Sequence, residues 1–324
     1  MLGNRIVHAI VVAFGLALCF AGGVHAQSYP TKPIKLILPN TTGSPVDALA
    51  RVVAQHMQSR LGQTVLVENR PGAGQSIGTK AVAIAEPDGY TLLMLNNGHF
   101  FGLTPNAGYD PQKSFTPVAT VSEWNHVLVV RPAFPAKTVR ELIDYAKANP
   151  GKTTFGFGAV TTPQILGETL KNATGADIAS VPYRGGAQAV VDMMGGRIDM
   201  NFGTTATLLP LIQQQKVRAL AFTGPKRSPD LPDIPTMIES GFPQLAFNPD
   251  VWTAIAAPAG TPVAVIDRLR TAVNESLAAP ELKASFVKFG FEILIKPFAE
   301  LESFIAAEAQ KWPPIVKAAG LTPE

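Results

Sequence analysis

Cysteine is almost missing from this chain of 324 residues: Cys19 is the only one, and it lies in a segment with the marks of an export leader. The rest of the chain is therefore expected to fold without a disulfide and to act without thiol chemistry. Charge is sparse too, at 16% of residues against 46% hydrophobic. No basic run or basic-aromatic stripe interrupts that pattern, so nucleic acid is not an expected partner. Histidine beyond the leader is limited to His56, His99 and His126. There is no His-Glu-x-x-His pair, no Gly-x-Ser-x-Gly elbow and no phosphate-binding loop. With no nucleophile, base and oxyanion set in view and no metal cluster, an exported hydrolase or isomerase on a two-lobed scaffold is only the alternative reading. No cofactor is expected. Beyond residue 26 no stretch is long and apolar enough to span a bilayer.

What is present begins with that leader. Met1 to Arg5 form a short positive region, Ile6 to Phe20 an apolar region, and Val24-His25-Ala26 a small-residue cleavage site. The expected mature chain starts near Gln27 and is exported. Of 27 basic residues, Arg5 leaves with the leader, so 26 basic face 24 acidic residues and the mature balance is +2.

The mature chain is organised around its first strand–loop–helix unit. Ile34 to Leu38 reads as a buried strand, and Val46, Leu49, Ala50, Val53, Ala54, Met57 and Leu61 recur at helical spacing. Ser44, Pro45 and Asp47 have the chemistry of an N-cap, a first-turn proline and a third-position acid, and Gly62 of a stop. The loop between, Asn40-Thr41-Thr42-Gly43, would meet the free N–H groups and positive dipole end of that helix, a natural seat for an anion. An ordinary turn whose N–H groups are satisfied by water and Ser44 is the bland reading of the same residues.

Val65 to Glu68 reads as a second strand. Gly72-Ala73-Gly74 begins like a dinucleotide fingerprint but lacks the third glycine at Ile77, and is read as helix-start chemistry instead. The strand Tyr90 to Leu95 feeds a polar-aromatic loop, Asn96 to Phe101. Asn97, His99 and Phe100 are candidates there because open α/β sheets bind ligands beyond the carboxyl ends of strands. From Val118 the pattern changes. Val127 to Arg131 is an apolar strand, and Thr138-Val139-Arg140-Glu141 is a capping box. Strand Thr153 to Phe157 then delivers Gly158-Ala159-Val160-Thr161-Thr162-Pro163 onto a helix, repeating the opening plan. Further strand and helix pairs run to Phe222, the proline-rich Arg227 to Pro235 forms no regular element, and a strand at Trp252 to Ala256 precedes three helices, the last expected over Ala299 to Trp312. Alternating strands and helices predict α/β domains with largely parallel sheets.

The order and spacing of several short motifs resemble a known family. These are Tyr29-Pro30-x-Lys32-Pro33-Ile34, Val67 to Gly74, Pro87-Asp88-Gly89-Tyr90-Thr91-Leu92-Leu93, Val181-Pro182-Tyr183-Arg184-Gly185, Gly195-Gly196-Arg197-Ile198-Asp199 and Ala257-Pro258-Ala259-Gly260-Thr261-Pro262. They are similar to the periplasmic substrate-binding receptors of tripartite tricarboxylate transporters, also called Bug receptors.

The resemblance implies an α/β, two-lobed periplasmic-binding-protein fold of type II with a ligand cleft between the lobes. Residues 27–122 with 240–324 would form the first lobe and 123–239 the second. It also implies a monomer that captures a small organic carboxylate and delivers it to integral-membrane transporter subunits; a ligand-sensing role with a two-component system would use the same closed form. In such receptors the carboxylate rests on backbone N–H groups, hydroxyls and waters. The matching positions here are Asn40, Thr41, Thr42 and Gly43 in one loop and Gly158, Thr161 and Thr162 in the other, with Phe157 beside it. Amino-acid-binding members carry an aspartate where this chain has Gly203, ahead of Thr204 and Thr205. Its loss implies a ligand without an ammonium group, a dicarboxylate or an aromatic carboxylate.

Overall fold

The computed structural model describes residues 29–102, 107–183, 185–247 and 250–321. The expected leader and Arg184 lie outside them. Two sheets organise the chain. The first contains β1 (Ile34–Leu38), β2 (Val65–Asn69), β3 (Thr91–Asn96), β4 (Phe115–Trp124), β10 (Val251–Pro258) and β11 (Glu292–Ile293), in the order β11-β4-β10-β3-β1-β2. The second contains β5 (His126–Val130), β6 (Thr153–Gly158), β7 (Ile178–Tyr183), β8 (Met200–Thr204) and β9 (Arg218–Phe222), in the order β7-β6-β8-β5-β9.

Helices fill the connections. On the first sheet these are α1 (Pro45–Leu61) and α2 (Ser76–Ala83), followed much later by α7 (Val263–Ala278), α8 (Pro280–Lys288) and α9 (Phe298–Ala318). The second sheet carries α3 (Val139–Ala148), α4 (Thr162–Thr174), α5 (Gly186–Met194) and α6 (Thr205–Gln213). The capping chemistry read from the sequence is realised. Ser44 Oγ accepts the Asp47 N–H at 3.2 Å and Thr138 Oγ1 accepts the Glu141 N–H at 3.1 Å. Gly62, at φ 68°, closes α1 in the left-handed conformation that glycine adopts without a Cβ clash.

Neither sheet is largely parallel, contrary to expectation. β10 runs antiparallel to β3 and β4, and β5 antiparallel to β8 and β9. The chain passes from β4 in the first sheet to β5 in the second through Asn125 alone.

The sequence reading does not mark β4 as a strand, because its inward positions include polar residues. Thr120 and Ser122 are buried, but their hydroxyls are matched: Ser122 Oγ lies 2.7 Å from Thr253 Oγ1, and Thr120 Oγ1 accepts the Lys296 N–H at 2.9 Å. The last helix also overruns its expected end at Trp312 and continues through Pro313 and Pro314. Its apolar face continues with Trp312, Val316 and Ala319 buried, and that packing outweighs the roughly 3 kcal/mol cost of an interior proline.

One core cluster joins the two sheets. Ile37, Leu93 and Leu95 from the first belong with Phe155, Ile165 and Phe202 around the second, and with Trp312 of α9. The same helix is tied to α4 where Asn172 Nδ2 donates to the Ala318 carbonyl at 3.1 Å.

Candidate functional site

The two polar loops singled out from the sequence share one backbone plan. In the first, Gly43 has φ 80° and its N–H donates to Asp47 Oδ2 at 2.9 Å, with Ser44 as N-cap of α1. In the second, Val160 has φ 56° and its N–H donates to Gln164 Oε1 at 2.7 Å, with Thr161 at the N-cap of α4. Asp47 and Gln164 both stand three residues after the cap and reach back to the residue before it. One is a carboxylate and the other a neutral amide.

That difference sets the charge at each helix start. The buried Asp47 carboxylate also accepts from Asn69 Nδ2 and pairs with Arg51, both at 3.0 Å. Burial pushes its pKa up, but the Gly43 amide, the Asn69 amide and Arg51 outweigh burial and hold it below the ordinary value. The positive end of α1 is thus already met by the protein's own charge. By contrast, α4, α5 and α6 have no acid in their first turns. The Thr161 and Thr162 N–H groups have no partner among the described residues.

Asparagines bind within the first loop, and another, Asn97, reaches the second. Asn96 Nδ2 donates to Asn40 Oδ1 at 3.3 Å, and the Asn69 amide reaches the Asn40 carbonyl at 3.1 Å. Asn97 Nδ2 crosses over, donating to Thr162 Oγ1 at 3.1 Å and to the Asp250 carbonyl at 2.8 Å. Thr162 Oγ1 donates to the same carbonyl at 3.3 Å. Next to the loop, a Cβ at Gly158 would come within 3.6 Å of the Gly186 N, and a Cβ at Gly185 or Gly186 would meet nothing within 4 Å. The start of α5 therefore opens beside the start of α4.

Not every expected site residue lies in that opening. Thr41, Thr42 and Gly43 are exposed, and the Thr42 hydroxyl has no partner among the described residues. Thr161 Oγ1 donates to the Gly158 carbonyl at 2.6 Å, and Thr162 is buried with its hydroxyl proton directed to Asp250, so neither hydroxyl is a free donor. Thr204 caps α6 by accepting the Thr207 N–H, and Thr205 is buried behind it. Gly203 is flanked by Leu208, whose Cδ1 would lie 2.7 Å from an added Cβ.

The aromatic candidates are core residues. Phe100 packs on Trp252, and Phe157 stacks on Phe155 with ring centroids 5.1 Å apart. His99 lies among Phe100, Tyr109 and Phe115, with Nε2 3.0 Å from the Pro111 carbonyl. Burial drives its pKa down to about 4, which leaves it neutral near pH 7. A polar-aromatic loop after a strand reads alike whether its rings face a cleft or the core. Gln164, Asn96 and Asp250 are the residues the sequence reading passed over. The first carried a signal, since it stands where Asp47 stands in the matching unit.

Among the described residues, no group of three or more His, Cys, Asp or Glu side chains could hold a metal ion, and no helix is long and apolar enough to cross a membrane. Two sheets linked by the direct β4–β5 crossing and the return before β10, with loops from both meeting at Asn97, define a two-lobed solute-binding protein. The solved periplasmic binding protein BugD superposes with a TM-score of 0.81 at 34% identity, covering 91% of this chain and 100% of that one. A structure of R. palustris Rpa4515 with adipate gives a TM-score of 0.82 at 30% identity, covering 91% and 100%.

The sequence matches the tripartite tricarboxylate transporter family receptor over residues 49–321. Protein BugT of Bordetella pertussis (strain Tohama I) is 35% identical over 317 residues, spanning 96% of this chain and 97% of that protein. The chain belongs to this family of periplasmic receptors, which bind solutes for membrane transporter subunits and are not enzymes.

Proposed function

We propose that this receptor captures a small organic carboxylate, a dicarboxylate or an aromatic carboxylate without an amino group, and hands it to a membrane permease. The observation that carries this is the start of α4: two N–H groups without a partner among the described residues, no acid in the first turn, and Asn97 reaching over from the end of β3. Oriented N–H dipoles hold an anion without burying a second full charge beside it. Leu208 fills the space beside Gly203, so no acid stands there to meet a ligand ammonium. The adipate held by one structural neighbour supports a dicarboxylate.

In this reading residues 27–122 with 240–324 and residues 123–239 close over the ligand as lobes. The mature chain starts near Gln27 after export and acts as a monomer. A thermal-shift screen of aliphatic dicarboxylates, aromatic carboxylates and amino acids tests the assignment. A ligand at 100 times its Kd should add about 2.7 kcal/mol of stability. Matched pairs should favour the des-amino acid over aspartate or glutamate at least a hundredfold, or about 2.8 kcal/mol. If no carboxylate moves the melting temperature, the assignment fails.

A further inference from the structure

The chain passes between the two sheets twice, from β4 to β5 through Asn125 and back into β10 directly after Asp250. These two crossings are bonded to each other. The Asp250 N–H donates to Asn125 Oδ1 at 3.2 Å, and Asp250 Oδ2 accepts the His126 N–H at 3.0 Å. The same oxygen accepts the Thr223 hydroxyl and lies 3.1 Å from His126 Nδ1. His126 opens β5 and Thr223 follows β9, and the Thr223 N–H donates to the His126 carbonyl at 2.9 Å. Asp250, Thr223 and His126 are all buried.

The main chain of Asp250 adds a loop from each sheet. Its carbonyl accepts Asn97 Nδ2, from the end of β3, at 2.8 Å and Thr162 Oγ1, from the start of α4, at 3.3 Å. One residue therefore holds both crossings and both loops. The apolar cluster that joins the sheets constrains their angle less, because apolar burial has no preferred direction whereas a hydrogen bond weakens steeply as its angle closes. Rotating one sheet against the other would separate Asn97 from Thr162 and distort the bonds that Asp250 takes from both. Breaking any of them leaves a buried polar group unpaired, and the carboxylate already carries one such atom, Oδ1.

We propose that Asp250 is a positioning residue that pins the angle between the two sheets and so sets where Asn97 meets Thr162. Asn125, His126 and Thr223 act through it. Its side chain and N–H fix the crossings, and its carbonyl passes their position on to the start of α4. The inference rests on the two-lobed fold and is independent of which solute is bound.

The test is a distance measurement between the sheets in the chain from Gln27 onward, which has no cysteine of its own because Cys19 lies in the expected leader. Gln55 on α1 and Gln188 on α5 are exposed, and Gln55→Cys with Gln188→Cys places one spin label on each sheet's helices. Double electron–electron resonance without added solute should give a single narrow distance distribution. Thr223→Val, which keeps the side-chain shape and loses the hydroxyl, and Asp250→Ala should each widen it at least twofold. Leu269→Ala, which removes a buried side chain of α7, should lower the melting temperature and leave the width unchanged. An unaltered distribution in folded Thr223→Val overturns the proposal, whether or not Asp250→Ala folds. A broad distribution in the unsubstituted background overturns it too. Equal widening by Leu269→Ala does the same, since any loss of stability would then loosen the sheets. Each of these results leaves the carboxylate reading untouched, because that reading stands or falls on the thermal-shift screen.

Discussion

The loops before α1 and α4 are built alike and charged differently. Each places a left-handed residue ahead of an N-cap, sets a proline in the first turn, and turns a side chain back onto the left-handed residue's N–H. In the first that side chain is Asp47, a buried carboxylate balanced by Arg51; in the second it is Gln164. The same backbone device thus serves two ends. A helix start whose dipole is met internally has no need of an anion, and the one left electrically open is the proposed seat.

Giving the second loop the charge of the first should break this contrast most completely. Gln164→Glu keeps the hydrogen bond to the Val160 N–H but puts a full negative charge beside the Thr161 and Thr162 N–H groups. Carboxylate affinity is expected to fall at least a hundredfold, about 2.8 kcal/mol, by calorimetry. The melting temperature should hold or rise, because an acid in the first helical turn stabilises by about 0.3–1 kcal/mol. Retained affinity in a folded variant would mean that the anion sits elsewhere.

The reverse exchange, Asp47→Asn, acts on stability. It removes the charge that pairs with Arg51 and leaves one acceptor oxygen in place of the two that take the Gly43 and Asn69 N–H groups, and should cost about 1–3 kcal/mol at neutral pH. Because the folded-state pKa of Asp47 lies below its ordinary 3.8, its contribution is present above that pH and is lost as the pH falls through the lower folded value. Melting curves of wild type and variant should therefore converge in acid. A constant offset down to pH 2 would show that packing, and not ionisation, separates them.

Thr42 and Thr162 are equivalent only in sequence. From the chain alone both are hydroxyls at helix starts, and removing either would be expected to weaken binding while sparing the fold. The structure separates them, since Thr162 Oγ1 joins Asn97 to the Asp250 carbonyl across the sheets while Thr42 is exposed. Thr162→Val should lower affinity about tenfold, or 1.4 kcal/mol, and lower the melting temperature too. Thr42→Val should leave the melting temperature unchanged. Equal behaviour of the two variants would erase the distinction between the two loops.

Much of this was legible in the residues. The cap of α1, the capping box of α3 and the strand–loop–helix repeat followed from local chemistry, because caps and turns are set by neighbours a few positions apart. What sequence could not show was set by distant partners. The strand β4 was hidden by buried hydroxyls that pair across the sheet, and α9 ran past its prolines on tertiary packing. Phe100 and Phe157 turned inward because the aromatic rings of both sheets share one core, and His99 packs against Phe100, Tyr109 and Phe115. Asp250 carried no local signal, since its partners come from the crossing at Asn125 and His126, from Thr223, and from the two loops.

The smallest test concerns the left-handed residue itself. Gly43 adopts φ 80° with nothing near its absent Cβ, whereas the β-branched Val160 adopts φ 56° and packs on the core. A side chain in that region costs about 1–2 kcal/mol. Gly43→Val should be destabilising by that amount, because it gains the strain without any contact. Val160→Gly relieves the strain but loses apolar contact and frees the unfolded chain, a loss of about 0.4–1 kcal/mol for the backbone alone. The two effects nearly cancel, so stability should rise by less than about 1 kcal/mol. Denaturant midpoints of the pair give the answer directly. If Val160→Gly is destabilising by more than about 1 kcal/mol, side-chain packing dominates at the second loop. The valine would then be a wall of the seat, and not a strain tolerated beside it.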